Sequence, residues 1–173
     1  VKIRSHLDIK RRKGEFIGAF AVFGYQKDKG DHNRLVVDEY AAKVVRDIFA
    51  WKRAGMSQQG IADRLNREGV LCPAAYKESC GSRYRAKFRT GKEMRWSAVA
   101  VSRILSNECY TGTLVQGKSS TPNYKVKKAV VKDKADWVRI EDAFEAIIPR
   151  AEFDLVQGLL LRDTRVAPDR GHV

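Results

Sequence analysis

Between Arg83 and Arg89 the chain alternates. Arg83, Arg85, Lys87 and Arg89 fall on odd positions, with Tyr84, Ala86 and Phe88 between them. Successive side chains of an extended chain point to opposite faces, so this spacing predicts a half-buried strand. Tyr84 and Phe88 would face inward, and the four cations would form one face. Such a row binds phosphates, because each neutralised phosphate releases condensed counterions. The plainer alternative is a solvated basic loop with chance alternation. This row sits in one of three cationic windows. Residues 1–13 carry six Lys and Arg against one acid, residues 77–95 carry seven against two, and residues 118–134 carry six against one. Each window nets +5 and the whole chain nets +13, which leaves −2 for everything else. A near-neutral body with three basic segments is the electrostatic footprint of a nucleic-acid binder.

Other chemistry is sparse. His6, His32 and His172 have no spacing suited to a shared metal. Cys72, Cys80 and Cys109 form no CxxC or zinc pattern, so the cysteines read as small buried hydrophobes. Glu141, Asp142 and Glu145 read as a solvated acidic face rather than a cation site. No phosphate-cradling loop or dinucleotide fingerprint occurs. Ser97 is a nucleophile by residue type alone, and a helix-capping role accounts for it. No cofactor, metal or catalytic residue is expected.

The elements that must position the cations follow from periodicity. With 173 residues, 43% of them hydrophobic, the chain suits one domain, or one with a small appendage. No run of about 18 apolar residues suggests a membrane span, and Val1-Lys2-Ile3-Arg4 lacks a signal-peptide core. The missing initiator Met suggests an excised fragment. The odd cysteine count argues against a disulfide framework and points to a reducing, cytoplasmic setting.

Residues 1–13 look like a helix end stopped by Gly14. Residues 16–25 read as buried extended chain with turns, and 26–34 as a polar loop. Asp38 caps a helix whose stripe is Ala41, Val44, Val45, Ile48, Phe49 and Lys52. Gly55 ends it, and Ser57 caps a second helix over 58–68 with Ile61, Ala62 and Leu65 inward. Pro73 is expected to block further helix, leading into the basic strand. Ser97 caps a third helix, with Trp96 and Val101 as a hydrophobic staple; Val101, Ile104 and Leu105 face inward, and Ala98, Ala100, Ser102, Arg103 and Ser106 include the outward positions. Residues 110–115 read as a strand, with 124–132 and 137–140 pairing near it. Pro149 starts a last helix to about Arg162, with Phe153, Val156, Leu159 and Leu160 inward. The expected class is α+β: a mainly helical, helix-turn-helix-like unit with a small antiparallel β component and a basic β-arm.

Several phrases stand in order: Gly24-Tyr25; Asp38-Glu39 with Ala42, Val45, Ile48 and Phe49; Gly55, Ser57, Ile61-Ala62, Leu65-Asn66 and Gly69; Trp96, Val101, Ile104-Leu105, Asn107, Tyr110 and Gly112. In this the chain resembles the recombinase domain of the large serine recombinases, the site-specific DNA recombinases of phages and transposon-type mobile elements. The match spans about residues 14–118. Val22 stands where the family often has Pro, which affects local loop shape.

The resemblance implies a DNA-binding middle fragment. Residues 1–13 would end the helix from a catalytic domain, 14–118 would be the recombinase domain, 119–162 its strand and helix extension, and 163–173 a tail towards a zinc ribbon. In such a recombinase a serine attacks a DNA phosphate, and strands exchange within a tetramer; this chain would instead hold the attachment site. The third helix would enter the major groove, with Arg103 reading a guanine edge and Ser97, Ser102 and Asn107 touching bases or phosphates. Arg11, Arg12 and Lys13 would follow the backbone or minor groove. Arg83, Arg85, Lys87, Arg89, Arg95, Lys118, Lys125 and Lys127 would complete the DNA contacts. The partner would be duplex DNA, the full protein dimeric on a site and tetrameric in synapsis, the fragment alone monomeric, and the setting the bacterial cytoplasm, at the nucleoid when bound. A helix-turn-helix transcription regulator and a basic RNA-binding module are the rival readings. A self-contained nuclease is a third.

Overall fold

The computed structural model describes residues 2–81, 94–121 and 128–163. Helix α1 (Lys2–Arg12) ends in a basic turn of Lys10, Arg11 and Arg12. Gly14 then takes a φ of +77°, which suits the stop expected there. The following stretch buries Phe16 and Phe23 but leaves Phe20 42% exposed, so the apolar run is only partly interior. It feeds strand β1 (Tyr25–Lys27), antiparallel to β2 (Leu35–Val37) with Tyr25 opposite Val37. The short β2 was not anticipated: three residues beside a cap show no periodicity.

Helix α2 (Glu39–Arg53) starts where Asp38 accepts the Ala41 N–H at 3.3 Å. Its inward face is the expected one, Lys52 included. Helix α3 (Gln58–Arg67) starts where the Ser57 hydroxyl accepts the Gly60 N–H at 3.1 Å. The chain does not then leave helical structure. Pro73 opens helix α4 (Pro73–Ser79) rather than blocking one. Proline fits the first helical position, where its missing N–H has no partner to lose and its fixed φ is already helical. The proposed basic strand, with Arg83, Arg85, Lys87 and Arg89, lies outside the described residues.

Helix α5 (Ala98–Leu105) is capped by Ser97, whose hydroxyl accepts the Ala100 N–H at 3.2 Å. Trp96 and Val101 are both buried. The strand expected over 110–115 is two things. Residues Glu108–Thr111 form a 3-10 turn, and β3 is Leu114–Gln116. Asn107 Oδ1 accepts the Cys109 N–H at 3.1 Å and starts the turn. The Tyr110 carbonyl takes the N–H groups of Ile147 and Ile148, and Gly112 turns with a φ of +79°. Those bonds to residues far along the chain override a local strand preference.

Strand β4 (Ser119–Ser120) pairs antiparallel with β5 (Val130–Val131), and β3 pairs with β6 (Val138–Ile140). Helix α6 (Arg150–Asp163) buries Phe153 and Val156, while Leu159 and Leu160 are only half-buried. The inward stripe fades towards the end of the helix, where Leu160 packs against the core only in part and Leu161 is exposed.

The core lies where α2, α3, α5 and α6 meet. Ile48, Phe49, Ile61, Val101, Leu105 and Val156 are completely or almost completely hidden. Burying each such side chain contributes about 1.5–3 kcal/mol, so this quartet sets the rigid frame on which α5 is mounted. Cys72 and Cys109 are buried as expected, whereas Cys80 is exposed at the end of α4.

Candidate nucleic-acid interface

A cleft of about 330 Å³ opens beside α5. Arg95, Arg103 and Asn107 line it together with Lys77 of α4, and among the described residues no acidic side chain does. Its floor is apolar, with Phe23, Ile104 and Tyr110. Each wall is held by a specific bond. Tyr110 donates its hydroxyl to the Phe23 carbonyl at 2.9 Å, which fixes the loop before β1. Tyr76 donates to Asp38 Oδ2 at 2.8 Å and meets Phe23 edge-on at 5.6 Å, which docks α4 onto the start of α2. Burial and the bond to Asp38 push the Tyr76 hydroxyl's pKa upward, so it remains a donor. Lys77, one residue on, is thereby brought to the cleft, where partial burial pulls its pKa down.

Arg95 is placed by the neighbouring Trp96. The indole sits edge-on to Phe23 at 5.8 Å and donates to the Val70 carbonyl at 2.9 Å. Both Arg95 and Arg103 are exposed, and neither has a hydrogen bond or ion pair among the described residues. Cations without a carboxylate partner are available to a ligand's phosphates or base edges. Val99 is 59% exposed on α5. It stands four residues before Arg103, so the two share one helix face.

The other expected contacts scatter. Ser97 spends its hydroxyl as an acceptor in the cap. Asn107, which lines the cleft, spends its side-chain oxygen on Cys109, and its amide N–H₂ has no partner among the described residues. Ser102 lines a different groove with Ser106, Gln58 and residues of α6. Arg12 and Lys13 are exposed at the end of α1. Arg11 is half-buried beside the β4–β5 hairpin and pairs with Asp8. Lys118 lies over the Trp137 ring at 5.1 Å. Lys125 and Lys127 lie outside the described residues.

Sequence reasoning missed Lys77 and Val99 as site residues. Pro73-Ala74-Ala75-Tyr76-Lys77-Glu78 could have revealed α4, since proline followed by good helix formers marks a helix start. Among the described residues no group of His, Cys, Asp or Glu is arranged to hold a metal ion. No described helix is long and apolar enough to cross a membrane.

Residues 39–163 match the family model described as Recombinase. An uncharacterised protein of Bacillus subtilis (strain 168), YefB, is 31% identical over 104 residues, covering 60% of this chain and 31% of that protein. Two solved structures share the fold. One, from work on the sequence requirements of the Listeria innocua prophage attP site, has a TM-score of 0.54 at 20% identity, covering 91% of this chain and 51% of that one. The other, an LSR–DNA complex, has a TM-score of 0.56 at 18% identity, covering 94% of this chain and 38% of that one. The chain thus spans about a third of that curated relative and about half or less of each structural neighbour.

Proposed function

Since the chain belongs to the Recombinase family, we propose that it binds duplex DNA at recombination attachment sites, as the site-reading part of a serine site-specific recombinase. The observation that carries this reading is the cleft beside α5, which Lys77, Arg95 and Arg103 line together, with Arg95 and Arg103 making no ion pair among the described residues. The fold it shares with an LSR–DNA complex and with a structure from work on a prophage attP site supports the same reading.

In this reading α5 enters the major groove. Arg103 donates two N–H groups to guanine O6 and N7, and Val99, on the same face, packs on a thymine methyl. Arg95, Lys77 and the Asn107 amide take backbone phosphates, which fixes register without reading sequence. The end of α1, with Arg12 and Lys13, follows the adjacent backbone or minor groove. The segments with Arg83, Arg85, Lys87 and Arg89, and with Lys125 and Lys127, add further phosphate contacts. Ser97 and Ser102 rank below these, because one is a cap and the other lines a separate groove. The chain positions DNA while a serine elsewhere in the protein carries the chemistry. The whole protein is proposed to act as a dimer on each site and a tetramer in synapsis.

The test is selection of duplex sites from a random pool, followed by affinity against salt. A consensus sequence with affinity falling roughly 10³–10⁵-fold between about 50 and 200 mM salt is expected for about 6–10 phosphate contacts. Preference for structured RNA over every duplex would replace this reading with RNA binding.

A further inference from the structure

A second cleft lies between α1 and the β4–β5 hairpin, with a volume of about 510 Å³. Leu7, Asp8 and Arg11 line one side; Ser119, Ser120, Thr121, Ala129 and Lys132 line the other. The composition is specific. Among the described residues, two cations and three hydroxyl residues face one carboxylate, and no aromatic ring lines the cleft.

Arg11 is the unusual member. Its side chain is 22% exposed, and its only hydrogen-bond partner among the described residues is Asp8, one helical turn earlier. Its Nε is buried without a partner. A guanidinium carries five N–H donors, so most of its capacity is unspent. Its stem lies against the turn at Gly117, with Cδ at 3.9 Å from where a Cβ would stand. Gly117 has a φ of +73° and leads directly into β4. The stem of Arg11 therefore lies against the turn that precedes the hairpin.

The hairpin is braced from behind. The Lys132 N–H donates to the Lys118 carbonyl at 2.9 Å, and Trp137 Nε1 donates to the Lys132 carbonyl at 3.0 Å. Lys118 covers the Trp137 ring. The backbone of Lys132 is thus fixed on both sides, while its ammonium has no partner among the described residues. The segment after α1 is tied to the same sheet region. Gln116 donates to the Glu15 carbonyl at 2.8 Å and accepts the Ile17 N–H at 3.0 Å. These bonds tie the segment after α1 to the end of β3, two residues before the hairpin begins, and none of them uses a side chain that lines the cleft.

We propose that this cleft is a seat for one DNA backbone phosphate, held by Arg11 and Lys132 with the hydroxyls of Ser119 and Ser120. The proposal rests on the DNA-binding reading but concerns a different surface from the cleft beside α5. A phosphate fits because the described lining offers two cations and hydroxyl donors, which match a phosphate's charge and acceptor oxygens. Asp8 orients Arg11 but repels the phosphate. The seat joins the incoming helix to the hairpin, so a bound phosphate fixes the direction of α1 relative to the DNA.

The experiment uses the whole chain on its selected duplex. Arg11→Ala and Lys132→Ala are each expected to weaken binding by about tenfold, the scale of one lost charge-assisted contact. The salt slope should fall by about 0.9 for each cation removed. Replacing phosphates one at a time with uncharged methylphosphonates should reveal one position where wild type weakens while Arg11→Ala and Lys132→Ala lose nothing further. Asp8→Asn is expected to tighten binding, a sign opposite to that of lost helix support. Arg11→Lys, which keeps the charge, should retain the slope. The seat is refuted if both alanine variants bind with wild-type affinity and slope while Arg103→Ala still alters the selected sequence. If wild type binds no duplex at all, the DNA reading fails and takes the seat with it.

Discussion

Asn66 grips the backbone of Trp96 from both sides: its amide donates to the Trp96 carbonyl at 3.0 Å and accepts the Trp96 N–H at 2.8 Å. One side chain of α3 thus stands in for a strand neighbour and sets where the chain enters α5. Helices α3 and α5 pack closely, so the direction of α5 depends on this clasp as well as on the core.

Asn66→Ala removes both bonds and leaves two polar groups of a buried residue without partners. Such a loss costs about 1–3 kcal/mol for each unsatisfied group, offset where water reaches it. A net destabilisation of about 2 kcal/mol is expected in urea unfolding. Asn66→Asp should fall between, because it keeps the acceptor for the Trp96 N–H. Equal stability of the alanine variant and wild type would show that packing alone sets the entry to α5.

Arg103→Ala is expected to cost about 1–3 kcal/mol in affinity and to relax preference at one base pair of the selected site. Arg95→Ala should weaken binding evenly over all sequences and flatten the salt slope by about one unit. The pair separates reading from gripping on one cleft. Site selection repeated with each variant decides it; even weakening by Arg103→Ala would move that residue into the phosphate class.

The helices were legible because their signals are local. Asp38, Ser57 and Ser97 are each followed by the stripe that their helix buries, and each makes the cap bond. Asn66 and Trp96 stand out as residue types, but the bond between them spans 30 positions and has no periodicity. The turn at Tyr110 was misread for a related reason: its carbonyl is claimed by Ile147 and Ile148. Around the cleft, Arg95 and Arg103 were visible as cations, whereas Lys77 joins them only because Tyr76 reaches Asp38 across 38 positions. Pro73 misled because a helix breaker in the middle is a helix starter at the first position.

The three thiols should separate by burial. Burial pushes the Cys109 thiol up to about 12 from an ordinary value of 9.0, so at pH 8 almost none of it is thiolate. Cys72 is also buried, and Cys80 is exposed. A disulfide reagent at pH 8 should titrate one thiol in the native chain and three after unfolding. Because the folded pKa of Cys109 is raised, its protonated form favours the native state; that contribution is complete below about pH 9 and is lost as pH rises towards 12. Rapid labelling of Cys109 in the native chain would place it at a mobile surface instead.

Lys52 has a side chain only 4% exposed, and its ammonium pairs with Asp163 at the end of α6. Among the described residues the Met56 carbonyl at 3.5 Å is its other acceptor. Removing Asp163 leaves a buried charge with one distant neutral partner, whereas removing the charge itself keeps the alkyl packing. Asp163→Ala is therefore expected to destabilise by about 1–2 kcal/mol. This is below the roughly 3–5 kcal/mol of a fully buried pair, because the Asp163 side chain is 45% exposed. Lys52→Met should stay within about 1 kcal/mol of wild type, in either direction. In the Lys52→Met background, Asp163→Ala should cost almost nothing more, since the charge that it served is gone. Denaturant unfolding of the four chains closes this cycle. An undiminished cost in the Met background would mean that Asp163 supports α6 through some other contact, and that the tie between α2 and the end of α6 is apolar.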